Sequence, residues 1–198
     1  MAKLNHSSDN EITSLLIVDI QMDYFPGGRM ELKGSEDAAS VAGSVLGKFR
    51  ELRMPIFHVN HLSNRSGATF FLPGTDGIRT HPAVLPAAGE HVVTKHFPNS
   101  FRETNLLELL KRSDTSRLVI VGMMTHMCID ATTRAAKDLG YECTVIYDAC
   151  ATKDLIIRNR SVPYDKVHDA FMASLEGTYA RVMKSSELMK MTEEGARI

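Results

Sequence analysis

Short apolar segments of strand length alternate with amphipathic segments of helix length along nearly the whole chain. The apolar segments, rich in β-branched residues, are 14–20, 55–61, 91–95, 118–121, 141–147 and 179–183. Helical periodicity is found in 35–53, 104–111, 127–139 and 164–175. Apolar runs separated by helices are typical of parallel strands covered on both faces. The alternation predicts an α/β fold, a three-layer α-β-α sandwich with a mostly parallel, doubly wound sheet of about six strands.

The polar segment 1–13 is predicted to be a flexible N-terminus, and residues 14–198 are predicted to form a single domain. The chain carries 23 basic and 24 acidic residues. Because these charges balance, nothing indicates a nucleic-acid or membrane partner. The N-terminus lacks the pattern of a signal peptide, and the three cysteines do not form a disulfide framework. We therefore expect a cytoplasmic protein.

One connection stands out by its length. Residues 61–90 are rich in glycine and proline and link the second predicted strand to the third. Connections of this length inside a compact domain usually have a function. We expect this segment to form a lid, a pocket wall or a contact between subunits.

Three chemically reactive side chains follow three different predicted strands. Asp19 ends the first strand, Lys95 ends the third, and Cys128 follows the fourth. Because the carboxyl ends of parallel strands meet at one edge of a sheet, where ligands bind, these side chains should converge there. The sequence therefore predicts a catalytic site built from these residues.

Each residue has a plausible chemical role and a plain structural alternative. Cys128 is placed in the first turn of a helix, where free amides and the helix dipole should lower its pKa and favour the thiolate. Asp19 could act as the base, and Lys95 could favour the thiolate and orient the carboxylate. Alternatively, Cys128 is a small buried apolar residue, Asp19 braces a loop, and Lys95 is a solvated surface residue.

Several sequence blocks resemble one known family. They are VDIQMDYF (18–25), VVTKHFPNSF (92–101), VGMMTHMCIDATTRAAKDLGY (121–141), DACAT (148–152) and HDAFMASLEGTYARV (168–182). In these blocks, and in their order and spacing, the chain resembles the isochorismatase-like cysteine hydrolases. That superfamily also contains nicotinamidases, N-carbamoylsarcosine amidases and ureidoacrylate-type hydrolases.

The resemblance implies roles for individual residues. It makes Asp19 the general base, Lys95 its electrostatic partner and Cys128 the nucleophile. It also implies a cis peptide bond between Met123 and Met124, and an oxyanion hole formed by the amides of Met124 and Cys128. The implied reaction is hydrolysis of a C–N bond in a small amide or ureide through a thioester intermediate.

The walls of the substrate pocket are predicted from the same resemblance and from proximity to the three residues. The candidates are Gln21, Phe25, Asn60, His61, Phe97 and Phe101. Phe25 and Phe101 would flank a small planar substrate, although ordinary core packing explains such aromatic residues equally well.

Neither a metal nor another cofactor is expected. Nicotinamidases bind a metal through an Asp-x-His pair after the second strand, and this chain has His58-Val59-Asn60-His61 there. Residues three apart on a strand point to opposite faces, so His58 and His61 are a poor pair of ligands.

Two other functions remain open. The first is the vinyl ether hydrolysis of true isochorismatases, against which Cys128 argues because the siderophore branch lacks this cysteine. The second is a family member that has lost catalysis and acts as a binding or scaffold subunit. By analogy with the family, we also expect a homo-oligomer, either a dimer or a tetramer.

Overall fold

The computed structural model describes residues 11–196. Within this range, the strands are β1 Ile12–Val18, β2 Ile56–His61, β3 His91–Lys95, β4 Thr115–Met123, β5 Glu142–Ala151, β6 Leu155–Ile157, β7 Arg160–Val162 and β8 Arg181–Met183. The α-helices are α1 Ser35–Glu51, α2 Leu106–Arg112, α3 Asp130–Asp138, α4 Tyr164–Leu175 and α5 Ser185–Glu193. None of the described helices has both the length and the apolar character needed to cross a membrane.

The main sheet has six strands in the order β3-β2-β1-β4-β5-β8. Every pair of neighbours in it is parallel. Strands β6 and β7 form a separate antiparallel hairpin. The predicted α/β class and the predicted mostly parallel sheet of about six strands are therefore confirmed.

Alternate residues of the central strands supply two apolar cores, one on each face of the sheet. Leu15 and Ile17 of β1 belong to the core that includes apolar residues of α1 and α5. Leu16 and Val18 belong to the core that includes apolar residues of α2, α3 and α4. Because both faces of the sheet are buried, the strands read as continuous apolar runs, and the fold has three layers.

Several predicted boundaries differ from the observed ones. Strand β1 begins at Ile12, so the last two residues of the predicted tail belong to a strand. Residues 1–10 lie outside the described residues. Strand β5 continues to Ala151, beyond its predicted end at Tyr147, because a bulge lets it resume pairing with β4. The β6–β7 hairpin and α5 were not predicted, since they are short elements without a clear apolar period.

The strand order places one crevice at the centre of the sheet. From β1 the chain builds outward through β2 and β3, and it then returns to place β4 on the other side of β1. Ligands of open α/β sheets bind outside the carboxyl ends of the strands at such a switch point. Asp19 directly follows β1, and Cys128 lies in the turn after β4, so the two residues flank this crevice.

Strands β1 and β4 approach closely at that edge. Gly122 pairs with Val18 and has a φ of +133°, and a Cβ atom there would lie 1.9 Å from the carbonyl oxygen of Val18. Only glycine tolerates both this conformation and this proximity. The glycine that ends the apolar run of β4 thus allows the two strands to meet directly below the crevice.

Candidate active site

The ammonium group of Lys95 is the centre of a buried cluster. Its Nζ lies 2.7 Å from Oδ2 of Asp19 and 3.1 Å from Sγ of Cys128. It also lies 3.1 Å from the carbonyl oxygen of Phe97 and 3.1 Å from Nδ1 of His61. The structure therefore brings the three residues from three strands into one contact network.

Lys95 and Asp19 form an ion pair that is sealed from solvent, because both side chains are 0% exposed. Burial alone would lower the pKa of Lys95, but the negative charge of Asp19 and the proximity of Cys128 outweigh it and raise that pKa. Lys95 is therefore a permanent cation at neutral pH. Its charge is compensated by the carboxylate of Asp19.

Cys128 does not have the lowered pKa that its position near a helix start predicts. Burial raises the pKa of the thiol well above its usual value, the charge of Asp19 raises it further, and Lys95 only partly opposes them. The prediction of a lowered pKa and a partly ionised thiol is therefore wrong, because it neglected desolvation and the neighbouring carboxylate. The thiol keeps its proton at neutral pH, so it needs a base before it can act as a nucleophile.

Asp19 is in position to be that base. An oxygen of its carboxylate and the Sγ atom of Cys128 lie within 4.8 Å of each other. Asp19 also has a φ of +53°, a left-handed conformation that is uncommon outside glycine and is enriched in aspartate. Such conformations cluster at functional sites, where the surrounding structure holds them.

The backbone around Cys128 differs from the predicted continuous helix. Residues Thr125–Ile129 form a π-helical turn, and α3 begins only at Asp130. The peptide bond between Met123 and Met124 is cis. Single π-helical turns are often found at functional sites.

A cleft of about 270 Å³ opens above Cys128. It is lined by Tyr24, His61, Ser63, Asn64, Arg65, Phe70, His96, Phe97, Pro98, Met124, Met127 and Cys128. Two of the six predicted pocket residues, His61 and Phe97, are among them. The segment 61–90 contributes several of the others, so part of this long connection is a pocket wall, one of its three predicted roles.

Gln21 braces the site from outside the cleft. Its side chain is fully buried, its Oε1 accepts a hydrogen bond from the His61 amide at 2.7 Å, and its Nε2 donates to the His61 carbonyl at 3.0 Å. The same Nε2 donates to the carbonyl of Ile78 at 2.8 Å. Gln21 thus fixes the end of β2 and the long connection, and does not line the pocket as predicted.

The other three predicted wall residues also lie elsewhere. Phe25 is buried and stacks on the ring of His81 with 4.0 Å between ring centroids. Asn60 donates to Oγ1 of Thr80 at 3.2 Å, since it points away from its neighbour His61 on the strand. Phe101 packs against the core on the α2–α3–α4 side. The sequence could not show these directions, because they depend on how the loops fold back.

A metal ion would compete with Lys95 for one position. Among the described residues, Asp19, His61 and Cys128 offer ligand atoms that lie within 4.8 Å of one another. The Nζ atom of Lys95 contacts all three side chains, so the ammonium already supplies the positive charge that these groups surround. The donor set as arranged fits acid-base chemistry and does not fit a metal site.

His61 is expected to make the stability of the protein depend on pH. Burial and then the charge of Lys95 lower the pKa of His61 to about 4. Because its unfolded pKa is higher, the unfolded chain binds more protons between pH about 6.5 and about 4. The free energy of unfolding should therefore fall as the pH drops through this window, and less so in His61→Asn. Urea denaturation of both proteins at several pH values measures this, and an identical pH dependence would contradict it.

Comparison with known proteins gives a consistent result. The family model of the isochorismatase domain matches residues 13–187. The isochorismatase family protein YddQ of Bacillus subtilis is 47% identical over 178 residues, which are 90% of this chain and 99% of YddQ. The streptothricin hydrolase of Streptomyces noursei is 32% identical over 145 residues, which are 73% of this chain and 51% of that protein.

A solved structure extends the similarity to three dimensions. A protein from Oleispira antarctica that is assigned as an isochorismatase hydrolase superposes with a TM-score of 0.88 and 49% sequence identity. The match covers 91% of this chain and 97% of that one. The chain therefore belongs to the isochorismatase family of hydrolases.

Proposed function

We propose that this protein hydrolyses the C–N bond of a small amide or ureide through a thioester on Cys128. The observation that carries the proposal is the position of Lys95 Nζ, 2.7 Å from Asp19 and 3.1 Å from Cys128. This cluster lies at a cleft of about 270 Å³, a size suited to a small molecule. A nucleophile, a base and a fixed positive charge are the groups that acyl transfer requires.

In the first half of the reaction, Asp19 takes the proton of the Cys128 thiol as sulfur bonds to the carbonyl carbon. The carbonyl π electrons move to oxygen and form an oxyanion. When the oxyanion collapses, the C–N bond breaks, and Asp19 passes the proton to the departing amine. This leaves a thioester on Cys128 (a thiocarbamate for a ureide) and a neutral amine.

In the second half, a water molecule enters and Asp19 takes one of its protons as oxygen bonds to the thioester carbon. Collapse of the second oxyanion breaks the C–S bond, and the Cys128 sulfur recovers the proton from Asp19. The products are a carboxylic acid (a carbamic acid for a ureide) and a regenerated thiol. Lys95 stabilises the transient thiolate and keeps the carboxylate oriented in both halves.

The oxyanion is proposed to rest on the backbone amides of Met124 and Cys128. Both residues line the cleft, next to the cis peptide bond. Removal of one such donor commonly costs about 100-fold or more in kcat.

The cellular context is part of the proposal. We propose a cytoplasmic location, which is supported by three free cysteines that suit a reducing compartment.

A dimer or tetramer is proposed by analogy with the family. A molecular mass equal to that of a monomer in light scattering would contradict it.

A panel of small amides and ureides tests the chemistry against its alternatives. Release of amine or ammonia is measured for each compound, and pyruvate release is measured with isochorismate as the substrate. We expect amine release from at least one compound, dependent on Cys128, and no pyruvate. Pyruvate release that persists in Cys128→Ser would favour a vinyl ether hydrolase. Saturable binding without any turnover would favour a binding protein.

A further inference from the structure

Arg65 lines the cleft without a partner of opposite charge. Its side chain is exposed at the rim, and within residues 11–196 it takes part in no ion pair. No Asp or Glu of the described part of the chain lines the cleft. The only carboxylate of the buried cluster, Asp19, is already paired with Lys95. The cleft therefore carries an uncompensated positive charge.

Arg65 lies near enough to the buried cluster to affect the pKa of His61. Burial, the charge of Lys95 and the charge of His96 lower the pKa of His61, and the charge of Arg65 adds a smaller effect in the same direction. His61 in turn contacts Lys95 directly. The residues that line the cleft include Tyr24 and Phe70, with 5.9 Å between their ring centroids. Charges interact more strongly beside such apolar walls than in open water.

Arg65 is carried by a loop whose two ends are tied together. The amide of Ser63 donates to the carbonyl of Phe71 at 2.9 Å, and the Ser63 hydroxyl donates to the carbonyl of Phe70 at 2.8 Å. The amide of Phe71 donates in turn to the buried carboxylate of Asp23 at 2.5 Å. A loop closed in this way fixes the course of the backbone that carries Arg65, so less backbone freedom is lost when a ligand binds.

We infer that Arg65 binds a carboxylate of the substrate, so that the enzyme acts on small planar amides or ureides that also carry a carboxylate. A guanidinium group matches a carboxylate with two parallel hydrogen bonds. Phe70 and Phe97 of the cleft lining are half-buried aromatic residues, and a planar acyl group packs well against such side chains. The inference rests on the proposed function, since it adds the substrate class to the same site.

Matched pairs of compounds test this preference. Maleamate is compared with maleamide, fumaramate with fumaramide, and N-carbamoylglycine with its amide. Within each pair the skeleton is the same and a carboxylate replaces a neutral amide. The test variant is Arg65→Gln. The control variant is Arg79→Gln, in the same connection, whose side chain is 73% exposed and pairs with Asp76 at 3.4 Å.

We expect wild type to prefer the anionic member by about 10-fold or more in kcat/KM, which is worth about 1.4 kcal/mol. Arg65→Gln should lose this preference, chiefly through a higher KM for the anionic compound, and Arg79→Gln should keep it. Equal efficiency for both members in wild type would overturn the inference. So would a preference that survives in Arg65→Gln.

A binding readout separates this inference from the proposed chemistry. In Cys128→Ser, the anionic compounds should raise the thermal midpoint more than their neutral partners, and adding Arg65→Gln should remove the difference. If this selectivity is found but wild type hydrolyses nothing, the proposed reaction fails and the carboxylate site stands. If wild type hydrolyses amides but neither readout shows selectivity, the role of Arg65 is overturned and the reaction stands. If wild type hydrolyses none of the compounds and the binding readout shows no selectivity, both the proposed reaction and the role of Arg65 are overturned.

Discussion

The Cys128→Ser variant will lose at least about 10,000-fold in kcat while it keeps the fold, because the hydroxyl is far harder to deprotonate than the thiol. The substitution is nearly isosteric, and Lys95 can still donate a hydrogen bond to the new oxygen. The loss therefore reports on chemistry, which steady-state kinetics on the best substrate of the panel measures. Circular dichroism and the thermal midpoint establish that the variant is folded.

Cys143→Ser is the matched control for this change. Cys143 is also buried, with 7% of its surface exposed, and burial raises its pKa to about 12, but it lies in β5, away from the cleft. Its Sγ is 3.8 Å from the carbonyl of Tyr141, so a serine retains a nearby acceptor. Activity should remain within a few-fold of wild type in this control. If Cys143→Ser lost as much activity as Cys128→Ser, general destabilisation would explain both results.

The second large effect is expected on stability. Asp19→Asn leaves the ammonium of Lys95 buried without a counter-charge, and Lys95→Met leaves the carboxylate of Asp19 in the same situation. Breaking a buried ion pair from one side costs about 3–5 kcal/mol, because an unpaired charge then stays out of water. Each single variant should therefore lose about this much free energy of unfolding in urea denaturation. Both should also lose hydrolase activity.

The double variant Asp19→Asn/Lys95→Met distinguishes the contribution of the ion pair to the free energy of unfolding from the contribution of side-chain packing. Because neither charge remains, its free energy of unfolding should exceed that of either single variant. If the double variant instead loses the sum of the free energies of unfolding that the two single variants lose, the two charges are not coupled as an ion pair. The double variant should remain inactive whatever its stability, because it lacks the base and the fixed positive charge.

The sheet and the convergence of the three reactive residues were predictable from the sequence. The apolar run that ends at Gly122 and the run that ends near Asp19 have the lengths of buried parallel strands. Alternation with helices makes those strands parallel, and the residues just after parallel strands lie together at one edge of the sheet. Lys95 could be added for the same reason, because it is the last residue of β3. These inferences need only the periodicity of the chain.

The electrostatics of Cys128 could not be predicted in this way. The local sequence indicates a helix start, which lowers a thiol pKa, but it does not show how much of the thiol is buried. The structure leaves Cys128 5% exposed beside the negative charge of Asp19, and these effects prevail over the charge of Lys95. Burial is a property of the whole fold, so this part of the mechanism depends on tertiary structure.

The residues that line the cleft could not be predicted from sequence patterns either. His61 lies in the cleft while its neighbour Asn60 points away, and both are polar residues at the end of one strand. Arg65 and Phe70 come from a loop with no helical or strand period, and tertiary hydrogen bonds set its course. The length of the 61–90 connection was the one signal that could have suggested them.

Trapping of the thioester is the most direct test of the claim that hydrolysis proceeds through an acyl group on Cys128. Wild type is mixed with its best amide or ureide in the presence of hydroxylamine, and the product is analysed by mass spectrometry. In parallel, the reaction is quenched with acid and the peptide that contains Cys128 is analysed. We expect a hydroxamate product and an acyl group on Cys128, both absent in Cys128→Ser. Rapid turnover with no hydroxamate and an unmodified Cys128 would contradict the thioester mechanism.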